Sequence, residues 1–450
     1  MPYNITPEAP YQPLLDTQQL TILIPDSGSR GHALAWNIAQ SDRAGRVFVA
    51  PGNAGTALEG GKIENVAISP LEVRRLAAWA VENDVHLLYS GMEDPLAAGL
   101  VNEFAAVGIP AFGPTQAAAR VESSKLYAKN LMDQYGIPTA RYDRFGDQTA
   151  GLRHLDTLQE GDFPIVVKDS NLRQGKGVTI CYTPDEAAAA IGEMPGEYLI
   201  EDYLDGQEIS LHAASGLNQD GEPVYAMLDA AQDYKQASDG DQGPNTGGMG
   251  VVTPLPWLSR TRVDRAGEIF VKPMLRALAE AGNPFVGLLY PGLSLTTKGP
   301  RAVEYNGRWG GPEGESYALS LETNMLDIAL AAVTRRLDGM HIVQRPGFAA
   351  NVVVAAPGYP GEYKKGMQVT GIEHAEEVPG TKVFHSGTRL GSEGQILAAG
   401  GRVVTVAAFD PEYDRALAAA NEAASRIVVE GGSHRRTDIG RRAVPQVVGL

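Results

Sequence analysis

The chain has 450 residues, 43% hydrophobic and 20% charged, with a formal net charge of -16. That length points to roughly three domains with cores large enough to fold without disulfides, and the acidic balance argues against a basic nucleic-acid-binding face. The single cysteine, Cys181, excludes an intrachain bridge and fits a reducing, cytoplasmic setting. The first residues lack a basic segment followed by an apolar run, and no stretch is apolar enough to span a bilayer. No signal peptide, membrane helix or membrane partner is expected.

Residues 1–19 read as a polar arm. Residues 20–118 then alternate strands with helices: strands at Thr21–Ile24, Arg46–Ala50 and Val85–Tyr89, helices at His32–Gln40, Leu71–Asn83 and Pro95–Val107. That alternation predicts a doubly wound parallel sheet. Ligands of such sheets bind at the carboxyl ends of the strands, where the turns Asp26–Gly31, Pro51–Thr56 and Gly91–Asp94 fall. Residues 119–338 form a larger α+β unit, with a small lobe at about 122–191 and a large lobe at about 192–338. Its expected elements include a helix at Ser123–Tyr135, strands at Pro164–Lys168 and Val178–Tyr182, a helix at Arg262–Ala281 kinked at Pro273, and two joined strands over 285–305. Residues 339–450 read as a separate small α+β unit. Cys181 lies in a strand and is expected to be a buried structural thiol.

Asp239–Gly250 (DGDQGPNTGGMG) has five glycines and a proline among polar side chains. Helix and strand are both disfavoured there, and such a loop inside a domain is expected to serve a ligand rich in charge and oxygen. Two further segments suggest phosphate and metal chemistry. Asn171–Gly177 joins two apolar strands, and Lys168 ends the first of them. Its amides, with Arg173 and Lys176, could fold over phosphates, or the loop could be a plain hairpin turn. It is not a Walker A loop, because no Ser or Thr follows the lysine. Glu304 and Asn306 lie two residues apart at a strand end, on one face. Hard oxygen donors of that kind suit Mg²⁺, and a solvated strand end is the alternative. Glu201–Leu204, with Tyr203 between, reads as an acidic edge strand or as a hinge whose backbone meets an adenine edge; Glu208 could accept from ribose hydroxyls.

Taken together, these features resemble the ATP-grasp carboxylate–amine ligases, and within them the phosphoribosylamine–glycine ligase family. The resemblance runs through VFVAPGNAGTALE (Val47–Glu59), FGPTQAAARVESSK (Phe112–Lys125), the 239–250 loop, GYPGEYKKG (Gly358–Gly366), KVFHSGT (Lys382–Thr388) and TDIG (Thr437–Gly440). It implies two lobes clamping ATP and Mg²⁺, with Mn²⁺ as an alternative metal, and amide formation through an acyl phosphate. It assigns Lys125, Lys168, Gly175, Lys176, Gly177, Glu201, Tyr203, Leu204 and Glu208 to ATP, and Glu304 and Asn306 to the metal. Arg308, Lys176 and Asp233 become the catalytic groups. Gly28, Arg30, Asn53, Gly55, Thr56, Glu93, Lys235, Asp241, Asn245, Thr246, Gly247, Gly248 and Glu313 would hold the substrates, phosphoribosylamine and glycine. The expected assembly is a monomer or homodimer.

The chain departs from the family pattern on the substrate side. GSGGREH becomes Asp26-Ser27-Gly28-Ser29-Arg30-Gly31-His32, which places an acid in a turn expected to approach a phosphate. QDHKR becomes Gln232–Gln236, where Tyr234 replaces a histidine and could stack or donate. FGDPE becomes Trp309–Glu313, with Trp309 expected to pack, and His385 reads as a structural hydrogen-bonder. These changes keep open a different acid–amine pair in a specialised pathway and, more remotely, a regulator that binds ATP without turning it over.

Overall fold

The computed structural model describes residues 11–171 and 177–442. Its first sheet is wholly parallel, in the order Ile63–Asn65, Ala44–Pro51, Leu20–Asp26, Leu87–Tyr89, Ala111–Phe112. Strand order reverses between Leu20–Asp26 and Leu87–Tyr89, the place where such sheets open a crevice for ligands. Asp26 and Glu93 flank that crevice. The helix expected over 95–107 is two, Glu93–Ala97 and Leu100–Ala106, because Gly99 turns left-handed between them (φ 88°).

The small lobe is a four-stranded antiparallel sheet, ordered Tyr142–Phe145, Tyr198–Asp202, Ile165–Asp169, Val178–Cys181. It has its own core, including Ile165, Val167, Ile191, Tyr198 and the buried Cys181, whose thiol burial pushes up to about 11. The large lobe orders Gln207–Ser210, Gly287–Thr296, Ala213–Leu217 and Pro223–Met227, with Gly299–Asn306 paired beside Gly287–Thr296. The helix near Pro273 is Arg260–Ala266, a π-turn Gly267–Val271, then Lys272–Glu280. A wide turn just before a proline accommodates its missing donor.

A third, antiparallel sheet joins distant parts of the chain. Its order is Gln232–Asp233, Gly250–Thr253, Phe348–Ala355, Arg402–Asp410, Thr381–His385. The strands on either side of the Gly-rich loop therefore belong to the same sheet as the C-terminal strands. Within the loop, Gln242–Asn245 pairs with Gln236–Ser238 as a short exposed hairpin, where sequence predicted no strand. Tertiary anchoring overrides the weak local propensity. Buried Arg436 donates to the Gln236 carbonyl (3.1 Å) and to Asp241 (2.9 Å) and Asp438 (2.7 Å). Arg442 grips Asp241 at 2.6 Å and the Asp233 carbonyl at 2.7 Å. Thr437 and Asp438 bond Asp239 and Gly240 at 2.8 Å. Asp241, expected at the substrate, is instead a tether to the C-terminal segment.

Arg436→Ala should therefore cost about 2–3 kcal/mol of stability, since it leaves carboxylates without their partner. Arg441→Ala, which breaks an exposed pair with Asp414, should stay within about 0.5 kcal/mol. Chemical denaturation of both variants checks this.

Candidate active site

Antiparallel pairing sets Val166 opposite Glu201 and Lys168 opposite Leu199, so Lys168 and Glu201 are diagonal neighbours on one face. Their side chains meet at 2.8 Å. Lys129 reaches the same Glu201 oxygen at 3.2 Å and donates to Thr139 at 2.7 Å. All three charged groups are buried. Burial resists ionisation of Glu201, yet the two ammonium groups hold its carboxyl below the usual range. Burial lowers Lys129 to about 8, with Glu201 opposing the shift. Glu201 was expected to mark an adenine-reading edge; its side chain is the counter-ion of two lysines. Lys129 escaped the sequence reading, although it sits one turn after Lys125 on the helix Lys125–Gln134, the spacing that shares a face. Tyr203 and Leu204 follow the same strand and lead into the large lobe at Gln207.

Lys125 donates to the Asn171 carbonyl at 3.2 Å. Gly175 and Lys176, with Arg173, lie outside the described residues. Gly177 accepts from the Asp169 amide at 2.8 Å, closing the base of that loop. Across the cleft, Glu304 and Asn306 pair with Gly292 and Tyr290. Burial pushes the Glu304 carboxyl up, but Lys235, Lys125, Lys168 and Arg308 outweigh it and keep it ionised. Asn306 Oδ1 accepts from Arg308 at 3.3 Å. An anionic oxygen and an amide oxygen on one strand face are hard donors that fit a divalent metal completing its shell with phosphate oxygens and water, and the nearby cations would favour those phosphate oxygens. Among the described residues, no group of three or more His, Cys, Asp or Glu could hold a metal by itself.

Arg308 contacts Glu93 (3.1 Å), Glu122 (2.9 Å) and the Trp309 carbonyl (3.2 Å). Arg30 shares Glu93 (3.4 Å) and the same carbonyl (3.0 Å). Glu122 also accepts from the Gly307 amide (2.8 Å), and burial raises it to about 7. Trp309 packs as expected, and its indole also donates to Tyr89 (2.9 Å).

Lys235 is bonded directly to Glu208, and that pairing keeps its ammonium charged. Glu208, read from sequence as an acceptor for ribose hydroxyls, makes this pair through one oxygen and stays 42% exposed. Asp233 is 9% exposed, and its Oδ1 has no hydrogen-bond partner. Burial, then Glu313, raise it to about 7. Gly248 (φ 102°) covers it: a Cβ there would lie 2.8 Å from Asp233 Oδ1 and 2.4 Å from Pro312. Glu313 accepts from Ser210 (2.7 Å) and Tyr290 (2.8 Å). Thr246 donates to the Lys235 carbonyl (2.8 Å), Gly247 is gripped by Arg402, and Asn245 is exposed on the hairpin.

Other expected substrate contacts are engaged internally. Asn53 Oδ1 caps Thr56 (3.1 Å), and its Nδ2 donates to the carbonyls of Ser27 (3.2 Å), Gly28 (3.3 Å) and His385 (2.7 Å). Thr56 is fully buried, and a Cβ on Gly55 would strike His32 at 2.4 Å. These three residues build the turn; they do not offer side chains to a ligand. His385 is structural, bonded to Thr388 at 3.0 Å. Tyr234 stacks, but on guanidinium groups: Arg442 lies 3.9 Å and Arg436 4.9 Å from its ring centre.

Family models for the phosphoribosylglycinamide synthetase N domain, ATP-grasp (A) domain and C domain match residues 20–122, 123–314 and 349–442. The chain belongs to the phosphoribosylglycinamide synthetase family. It is 40% identical over 435 residues to a phosphoribosylamine–glycine ligase of Vibrio vulnificus, covering 94% of this chain and 99% of that one. It is 39% identical over 434 residues to the trifunctional purine biosynthetic protein adenosine-3 of Gallus gallus, covering 94% of this chain but spanning 42% of that protein's length. The crystal structure of a phosphoribosylamine–glycine ligase from Thermotoga maritima superposes with a TM-score of 0.77 at 28% identity, covering 94% of this chain and all of that one (100%). The architecture is that of this family: a parallel-sheet N-terminal domain, a central ATP-grasp domain and a C-terminal domain.

Two measurements probe this charge arrangement. Glu201→Gln strands two buried ammonium groups together and should cost about 3 kcal/mol; adding Lys129→Met should recover more than half, as read in a denaturation cycle. Asp233 titrates near 7 in the fold against an ordinary 3.8, so its contribution to stability is lost as pH rises through that window. The thermal midpoint of Asp233→Asn should therefore gain on the wild type between pH 5 and pH 8.

Proposed function

We propose that this chain joins a carboxylate to an amine with ATP, and that the pair is glycine and 5-phosphoribosylamine, giving glycinamide ribonucleotide, ADP and phosphate. The carrying observation is Glu304, kept ionised at a strand end by Lys125, Lys168, Lys235 and Arg308. Positive charge acting from several sides on this strand end suits a transferring phosphoryl group better than a neutral substrate.

In this reading Lys125, Lys168 and the loop carrying Lys176 hold the phosphates of ATP, and Tyr203 and Leu204 border its base. Glu304 and Asn306 would hold Mg²⁺, or Mn²⁺, which screens phosphate charge when bound. The glycine carboxylate attacks the γ-phosphorus; a C–O–P linkage forms and ADP leaves. Arg308, fixed by Glu93 and Glu122, neutralises the oxygens of the transferring group. The amine nitrogen then attacks the acyl carbon, and phosphate departs with the bonding pair. Asp233, poised near 7, accepts the proton that the amine sheds. Lys235, Glu313 and the backbone of Gly247–Gly248 frame the small substrates, with Gly28, Arg30 and Glu93 at the N-terminal side.

A second reading, a different amine, is favoured by one feature: Asp26 lies in the turn where a phosphate would approach. ADP release with glycine and phosphoribosylamine tests the first reading; release only with another pair would overturn it in favour of the second. Nucleotide binding without ADP release for any pair would leave a nucleotide-binding protein. Glu304→Ala should lower turnover by at least ~100-fold with the fold intact by circular dichroism. Turnover within a few-fold of wild type would remove Glu304 from the metal site.

A further inference from the structure

The helix Ser29–Ala39 starts at the sheet's switch point and has no side-chain cap. Its N-terminus is a ready seat for an anion. In this chain a carboxylate lies at the edge of that seat, on the Gly28 amide. Asp26 Oδ1 accepts from the Gly28 amide at 2.7 Å, and the residue is 2% exposed. Two glycines make room for it: a Cβ on Gly31 would lie 2.3 Å from Asp26 Cβ, and one on Gly91 would lie 2.5 Å from Asp26 Oδ2. Gly31, where the pattern that the chain resembles has an acid, is thus one of the residues that leave space for Asp26. Asp26 Oδ2 has no hydrogen-bond partner, and the nearest cation is Arg30 Nε at 3.5 Å.

Arg30, the cation nearest Asp26, is already shared. Arg30 serves Asp26, Glu93 and the Trp309 carbonyl; Arg308 serves Glu93 and Glu122. Asp26, Glu93 and Glu122 are the acids in direct contact with these two guanidinium groups; burial pushes Asp26 and Glu122 up, and the arginines oppose it. A phosphate entering this turn would meet the Gly28 amide already taken, Arg30 already paired and an acid buried beneath the helix.

We propose that Asp26 makes the N-terminal turn indifferent to phosphate, so that the ligase accepts its amine substrate with or without a phosphate monoester at that end. The proposal rests on the ligase reading of the site, extends it to substrate choice, and is tested by binding alone. Ribose 5-phosphate and ribose, stable mimics of the two forms of amine, are titrated calorimetrically into the full chain loaded with MgADP. The wild type should bind the two sugars within fivefold of one another. Asp26→Gly should bind ribose 5-phosphate at least tenfold more tightly than the wild type does. Asp26→Asn, which keeps the acceptor for Gly28 but removes the charge, should shift the same way and guards against a packing defect in the glycine variant. A wild-type preference for ribose 5-phosphate above fivefold, no gain in either variant, or no binding of either sugar to any of the three proteins would overturn it. Failure of ADP release with phosphoribosylamine bears on the reaction and not on this preference.

Discussion

One guanidinium holds three parts of the chain in register. Arg308 follows the large-lobe strand that carries Glu304 and Asn306, and it reaches Glu93 at the crevice of the parallel sheet and Glu122 on the segment between the domains. Both acids are largely shielded from water, so neither tolerates the loss of its partner. The contact brings the N-terminal crevice to the end of the strand that carries Glu304. Arg30 shares Glu93 and the Trp309 carbonyl with Arg308, so the turn at Asp26–Gly31 is joined to the same network.

Around this point the protein alternates acid and base with little slack. Glu201 is set between Lys129 and Lys168, Lys235 against Glu208, and Glu304 within reach of several cations. At Lys129 and Lys235 such pairing opposes the desolvation that favours the neutral amine. It also separates residues that act on a ligand from residues that hold them. Glu201 holds Lys129 and Lys168, while Asp233 keeps an unpartnered oxygen beneath Gly248.

The Gly-rich loop shows how far local sequence carries. Its composition marked it as unusual, and its position between two strands of the C-terminal sheet gives it a task. Asp239, Gly240 and Asp241 are bonded to Arg436, Thr437, Asp438 and Arg442, while Thr246–Gly248 lie over Asp233 and against Arg402. One half is an anchor and the other covers the site. Composition could not divide it, because the partners come from residues some 200 positions away along the chain, as with Arg436 and Asp241 (195 apart) and Arg442 and Asp241 (201 apart).

By itself the sequence determined the alternation of strands and helices in the N-terminal domain, the strand end bearing Glu304 and Asn306, and Lys168 beside its loop. Each of these rests on periodicity or spacing within a few residues, which local backbone geometry enforces. Tertiary structure decided which polar groups are free. Asn53 and Thr56 look like ligand contacts in a turn motif, yet their hydrogen bonds close on the turn and on His385. Lys129 looks like one surface lysine among many, yet it is buried against Glu201. Asp26 looked out of place, and only the packing of Gly31 and Gly91 shows that the fold was shaped to take it. Free or engaged is a property of partners distant in sequence, and folding supplies those partners.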